Sequence, residues 1–444
     1  MKLNAIDLER QVALIYLSYI GCKMETDLPD KTETQFSDGD DCGVNYDYLK
    51  EARNIGEKII ERGFSVVVNN KKENSWICYT GFGDDYYSVN PVGWDLYKGN
   101  CGMAVFFMYL GKTLKKESYI QYAKDTLNSV DRMININNVK DIEAMGFGVF
   151  TGIYSYVYTL YKFIQYGLYN EAEIKEVWER IYKIFEFTNE NIGKQDRIDV
   201  LSGISGIMGV LTTIYKTLDI KYQEVVKEVL SKIVDKLKKE VIYISSEEIS
   251  WTDNGDIGYA HGNAGIMCHL AGCYEILSDP DILEMIYKSL NYERNTRFNK
   301  NDNMWMIREK AHYYSWCNGI AGLLLSKIML YQSNAKDEKL IGEIKLLIEQ
   351  LKKYGFGNDF SICHGDIGSI SILRYAAEFM NDTQLMKQCT YTLNKFIQNY
   401  LVEQAQSLYT LEDWGIMAGK AGIGLGLLDE FNHNNFIAEL LSFK

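Results

Sequence analysis

Three residues of the kind that bind soft metal ions stand at matching places in this chain. Cys317 lies in Ser315-Trp316-Cys317-Asn318-Gly319-Ile320-Ala321-Gly322, and Cys363 and His364 lie in Ile362-Cys363-His364-Gly365-Asp366-Ile367-Gly368. Two thiolates and an imidazole suit zinc better than harder ions. Three protein ligands leave a fourth position open, as in catalytic zinc sites, where it can take a thiol and deprotonate it. His261 stands directly before Gly262, and Asp199 four places before Gly203. An imidazole oriented by a carboxylate is an acid–base unit, and that is the reading preferred for this pair. Two plainer readings stand beside it. Both residues could be further ligands of a closed structural site, or Asp199 could cap a helix while His261 bonds a carbonyl.

All of these residues precede a Gly-x-x-Gly pair that opens an apolar run. The second glycines are Gly102, Gly152, Gly206, Gly265, Gly322, Gly368 and Gly422, at gaps of 50, 54, 59, 57, 46 and 54 residues. The second copy is degenerate, with Val149 in place of the first glycine and Gly148 one residue early. Runs such as Ile207 to Tyr215 and Ile320 to Leu330 are apolar on every side, which predicts fully buried helices. Between them lie amphipathic segments such as Tyr222 to Val241, with Val225, Val226, Val229, Leu230, Ile233, Val234 and Leu237 on one face, and Glu338 to Lys353. Seven buried and seven half-buried helices in alternation predict an all-α (α/α)₇ toroid, an inner ring of helices inside an outer ring. An open helical solenoid is the alternative, but it would expose the inner helices. The glycines are expected to be structural, allowing sharp turns and close approach. Equivalent pairs place the residues before them at one end of the barrel, around a shared mouth.

Residues 1–93 precede the repeats and are expected to form a lead-in packed on a toroid domain of residues 94–444. Within the lead-in, Leu8 to Tyr19 and Tyr46 to Arg62 read as helices, Asp27 to Val44 as an acidic loop, and Ser65 to Val68 as a short strand or packing. The chain has 444 residues, 47% of them hydrophobic, and a net charge of −13 with no basic stripe, which argues against nucleic acid as a partner. The start has no basic-then-apolar layout of a signal peptide. The longest apolar stretches, such as Cys101 to Leu110, are far short of a membrane span. Nine cysteines with no framework spacing point to a reducing cytosol, where thiols are free for metal. Cys22, Cys101, Cys268, Cys273 and Cys389 are expected to be packing residues, and His269, His312 and His433 hydrogen-bonded core residues. Cys42 and Cys78 receive no role.

Asp199-Val-Leu-Ser-Gly203, Ala260-His261-Gly262, Trp316-Cys317-Asn318-Gly319 and Cys363-His364-Gly365 together resemble the lanthionine synthetase C-like cyclases. Leu96-Tyr97-Lys98-Gly99-Asn100-Cys101-Gly102 looks like the opening motif of the cyclase domain of class II lanthipeptide synthetases, and the resemblance covers nearly the whole chain. It implies the same toroid and a zinc ion held by Cys317, Cys363 and His364. The implied reaction adds a peptide cysteine thiolate to dehydroalanine or dehydrobutyrine, giving a lanthionine or methyllanthionine ring in a dehydrated ribosomal precursor peptide. His261 would move the proton with help from Asp199, Trp316 would shape the substrate pocket, and a dehydratase domain or protein would act beforehand. The pattern departs at Asn318, where class II cyclases often have His, and at Tyr313, where LanC-type members can carry Arg. Two other functions compete. One is an α/α-barrel glycosidase using carboxylates such as Asp253 and Asp256. The other is a non-catalytic zinc toroid that binds peptides or glutathione.

Overall fold

A computed structural model describes residues 11, 34–37, 46–82, 86–134, 139–307, 313–406 and 413–444. Helix α1 (Tyr48–Arg62) leads into two antiparallel hairpins, β1 (Phe64–Val68) with β2 (Lys71–Ser75) and β3 (Ile77–Phe82) with β4 (Tyr86–Pro91). Helices follow as α2 (Asn100–Leu114), α3 (Glu117–Met133), α4 (Val139–Met145), α5 (Tyr154–Gln165), α6 (Glu171–Asn191), α7 (Ile204–Ile214) and α8 (Ile220–Lys239). A small hairpin, β5 (Ile242–Tyr243) with β6 (Ile249–Ser250), then precedes α9 (Asn263–Leu277) and α10 (Pro280–Tyr292). Another, β7 (Phe298–Asn299) with β8 (Met304–Trp305), precedes α11 (Ile320–Tyr331), α12 (Lys339–Tyr354), α13 (Asp366–Met380), α14 (Thr383–Gln406), α15 (Lys420–Asn432) and α16 (Phe436–Ser442).

The helices α2, α5, α7, α9, α11, α13 and α15 form the inner ring. Each packs on the next, and α15 packs back on α2, so the ring is closed and the solenoid alternative falls. Apolar character on every side explains their place: in α2 every residue from Asn100 to Gly111 is buried. The outer helices bury one stripe only. In α8 it comprises Val226, Val229, Leu230, Ile233, Val234 and Leu237, within the face expected from the sequence. The outer ring differs from expectation at one place. The helix after α15 is the short α16, and the long helix packed along α15 is α1, where Ile55 stands against Gly424 while Gly56 faces Phe107 and Leu110 of α2. After α16 the chain turns into the axis, where Phe443 meets Phe150, Tyr158 and His269.

A belt of backbone hydrogen bonds joins the seven loops at the inner-helix N-termini. The N–H of Tyr97 donates to Phe150 O (3.0 Å), Phe150 to Leu201 O (3.1 Å), Val200 to Ala260 O (3.0 Å) and Ala260 to Cys317 O (2.8 Å). Trp316 then donates to Cys363 O (3.0 Å), Cys363 to Met417 O (2.9 Å), and Met417 back to Tyr97 O (3.0 Å). The belt satisfies loop backbone that would otherwise be buried without partners. It also puts Tyr97, Phe150, Leu201, Ala260, Cys317, Cys363 and Met417 in equivalent places, each two residues before a glycine that caps its inner helix or, at Gly152, immediately precedes the cap.

This equivalence corrects the register of the second repeat. A Cβ on Gly99, Gly152 or Gly203 would fall about equally close to the backbone N four residues earlier and the O six residues earlier, at 2.5–2.6 Å. Gly152 is therefore the first glycine of its pair, not the second. The second place belongs to Ser155, whose Oγ donates to Val149 O at 2.6 Å. In the other repeats a glycine is pressed against the same carbonyl, as Gly322 is against Trp316 O. Serine keeps the geometry by making that contact a hydrogen bond.

Cys101, Cys268, Cys273 and Cys389 are buried, as expected of packing residues, and Cys78 lies half-buried on β3. His269 is buried and bonded to the Tyr259 hydroxyl at 3.2 Å. His433 is not a core residue: it is exposed and ends α15 in the left-handed conformation, φ 53°. Ser65 to Val68 belongs to β1. Cys22, Cys42 and His312 lie outside the described residues, as does the helix expected from Leu8 to Tyr19 apart from Gln11, and most of the loop from Asp27 to Val44.

Candidate metal centre

Since Cys317 and Cys363 are consecutive members of the belt, their side chains leave neighbouring loops at the same height. His364 follows Cys363 directly. The ligand atoms of Cys317, Cys363 and His364 all lie within 4.8 Å of one another. Donors around a tetrahedral zinc ion stand about 3.8 Å apart, so the three need only a small closure to share one ion. Among the described residues no fourth His, Cys, Asp or Glu joins this group. The donor set therefore fits zinc with three protein ligands.

The electrostatics agree with thiolate ligation. Cys317 and Cys363 share a hydrogen bond that brings the Cys317 thiol down to about 6. Burial opposes that shift, while Ser315, at 3.4 Å, and the charges of His364 and His261 support it. The shared bond and burial push Cys363 well up. The pair thus holds one proton readily and releases the other near neutrality.

Asp359 organises the imidazole. Its Oδ2 lies 3.0 Å from His364 Nε2, and its Oδ1 accepts the Ser361 N–H at 2.7 Å. The carboxylate raises the His364 pKa, and with Nε2 engaged, Nδ1 is the nitrogen left for a metal. Sequence reasoning missed Asp359. A signal was present, because Asp256, Asp359 and Asp413 all stand six residues before their capping glycine. Each accepts the N–H two residues on, from Gly258, Ser361 and Gly415.

Of the remaining expected site residues, His261 and Asp199 meet: Nδ1 lies 3.2 Å from Asp199 Oδ2. That bond raises the His261 pKa against the pull of burial. Asp199 Oδ1 also accepts the Ser202 N–H at 2.7 Å, so it caps its loop and holds the histidine together. His261 takes the same place in its repeat as His364, directly before the capping glycine, with Asn318 in the repeat between. Trp316 lies under the mouth instead of facing it. It is 1% exposed, edge-on to Phe150 and tilted against Tyr259. Asp256, offered as a glycosidase carboxylate, is buried and holds Gly258 N–H, while Asp253 is exposed.

The structure of a protein named nisin cyclase superposes with a TM-score of 0.59 at 18% identity, covering 79% of this chain and 92% of the other. A family 76 glycoside hydrolase (mannosidase) from Bacteroides thetaiotaomicron VPI-5482 gives 0.41 at 11% identity, covering 90% and 99%. A sugar epimerase from a ruminal bacterium gives 0.32 at 15% identity, covering 54% and 73%. Among curated proteins no sequence matches. The family model described as lanthionine synthetase C-like protein matches residues 90–440, and with the toroid and its mouth in view this chain belongs to that family.

Proposed function

We propose that this chain is a zinc-dependent lanthipeptide cyclase acting on dehydrated precursor peptides. The observation that carries the reading is the convergence of Cys317, Cys363 and His364 beside the His261–Asp199 pair at one mouth. Family membership and the fold shared with nisin cyclase support it. Zinc bound there supplies a Lewis acid that keeps a peptide thiol deprotonated at neutral pH. Cys317, Cys363 and His364 would hold it, with Asp359 fixing the imidazole.

The rest of the chemistry belongs to the chain. The peptide sulfur, having lost its proton, forms a bond to the β-carbon of dehydroalanine or dehydrobutyrine. The π electrons of the C=C bond move onto the α-carbon and its carbonyl, and the α-carbon then takes a proton. The reaction is an isomerisation, with no atom gained or lost. His261 is suited to the proton movement because Asp199 holds Nδ1 and leaves Nε2 for the substrate. Trp316 supports the loops from below. A dehydratase must act first, since the acceptor is a dehydrated residue.

The test uses the purified chain with zinc and a peptide bearing one cysteine and one dehydroalanine, followed by thiol alkylation and mass spectrometry. The expected result is loss of one alkylatable thiol with no change in the unalkylated mass. A Cys363→Ala chain that stays folded should lose both zinc and this activity. A zinc-bearing chain that binds the peptide or glutathione but never consumes the thiol would establish the non-catalytic alternative.

A further inference from the structure

The side of the metal centre away from His261 carries a cation that the steps above leave unused. Lys98 occupies the place directly before a capping glycine, equivalent to His261, Asn318 and His364. Around the belt the order runs His261, Asn318, His364, Ala418, Lys98, so one small residue separates Lys98 from His364. Side chains at this place reach each other across repeats, as Thr151 Oγ1 and Ser202 Oγ do at 2.9 Å. Gly415 lets the two loops close up, since a Cβ there would lie 2.6 Å from Lys98 Cα.

The ammonium is held in place. Lys98 Nζ lies 2.9 Å from Asp413 Oδ2, and Asp413 Oδ1 is anchored on the Gly415 N–H at 2.9 Å. An ammonium has three donors, so this pair leaves capacity for a substrate oxygen. The Lys98 side chain is 47% exposed, open to a ligand over the mouth. Its charge acts on His364, so the two side chains share one electrostatic neighbourhood.

Sulfur addition drives negative charge onto the carbonyl oxygen of the acceptor residue until the α-carbon is protonated. Preorganised donors aimed at such an oxygen are worth most in the transition state. We infer that Lys98 is a further catalytic residue that donates from Nζ to the acceptor's carbonyl oxygen as it becomes an enolate, with Asp413 as its positioning residue. The metal trio then stands between a proton donor on one side and an oxyanion partner on the other. This inference rests on the cyclase reading.

The experiment measures kcat and KM for the same cysteine–dehydroalanine peptide with the zinc-loaded chain and its Lys98→Met and Lys98→Arg variants. Lys98→Met should lower kcat about 100-fold with KM and zinc content near those of the parent, and Lys98→Arg should recover part of the loss. A second readout needs no turnover. Two short peptides end at the acceptor position with alanine, one as carboxamide and one as carboxylate. The parent chain should bind the carboxylate more tightly than Lys98→Met does by about tenfold, with little difference for the carboxamide. Unchanged kcat and unchanged carboxylate preference in Lys98→Met would overturn the role of Lys98 while leaving the cyclase reading intact. Failure of the parent chain itself to consume the thiol would remove both.

Discussion

Asp359 decides which nitrogen of His364 is available. Its Oδ2 on Nε2 at 3.0 Å leaves Nδ1 as the lone-pair nitrogen, the arrangement by which outer carboxylates orient metal-binding histidines. Asp359→Ala should weaken zinc binding about 10- to 100-fold, measured by competition with a chromophoric chelator. Acid should weaken it too, and the direction follows from the thiols. With Cys317 brought down to about 6, this sulfur is a ready ligand above that pH. Below it, zinc must displace an added proton, so affinity should fall about tenfold per pH unit for that proton. Flat affinity from about pH 5 to 7 would contradict the shared-proton thiol pair. The three candidate ligands stood out in the sequence because cysteine and histidine recur there at matching offsets before the glycine pairs. Asp359 was not, since a carboxylate six residues from a glycine reads as an ordinary turn residue until the loop closes it onto the imidazole.

At the scale of the elements, the glycines explain how loops this tight can line up side by side. A Cβ on Gly322 would lie 2.0 Å from the Trp316 carbonyl oxygen, inside the loop that carries Cys317. Gly342, within α12, has nothing within 4 Å of such a Cβ. Gly322→Ala should therefore destabilise the chain by about 1–3 kcal/mol or more and loosen zinc. Gly342→Ala should stabilise it by about 1 kcal/mol through helix propensity. Urea midpoints and zinc stoichiometry of the two variants test the contrast. The repeat spacing made the inner helices readable, and their all-round apolar character made them recognisably buried. The misread second repeat shows the limit of that signal. Ser155 satisfies by a hydroxyl what glycine satisfies by having no side chain, and a pattern built on glycines alone slips by three residues.

For the whole molecule, closure depends on segments distant in sequence. Helix α1 packs along α15, which no periodicity within either segment announces. The chain after α15 turns inward, so that Phe443 stands against Phe150, which in turn meets Trp316 beneath the mouth. Lys162, fully buried on α5, fastens this turn: its Nζ donates to Glu439 Oε2 at 3.2 Å and to the Lys444 O at 2.9 Å. A buried ammonium is costly unless paired, so the contact holds α16 in one position, and breaking it leaves an uncompensated charge. A cavity of about 630 Å³ adjoins the same region, lined in part by Cys268, His269, Ser442 and Lys444. Removing the Phe443 ring would leave a void beside it, with little able to collapse into the space. Phe443→Ala should thus cost about 3–5 kcal/mol, and Glu439→Gln, which leaves the buried Lys162 ammonium without its counter-charge, should cost about as much. Zinc stoichiometry should persist in both, because the belt bonds holding Cys317 and Cys363 run between loops and do not pass through Phe443. Loss of zinc from a still-folded Phe443→Ala chain would show that the axis, and not the belt, sets the spacing of the two sulfurs.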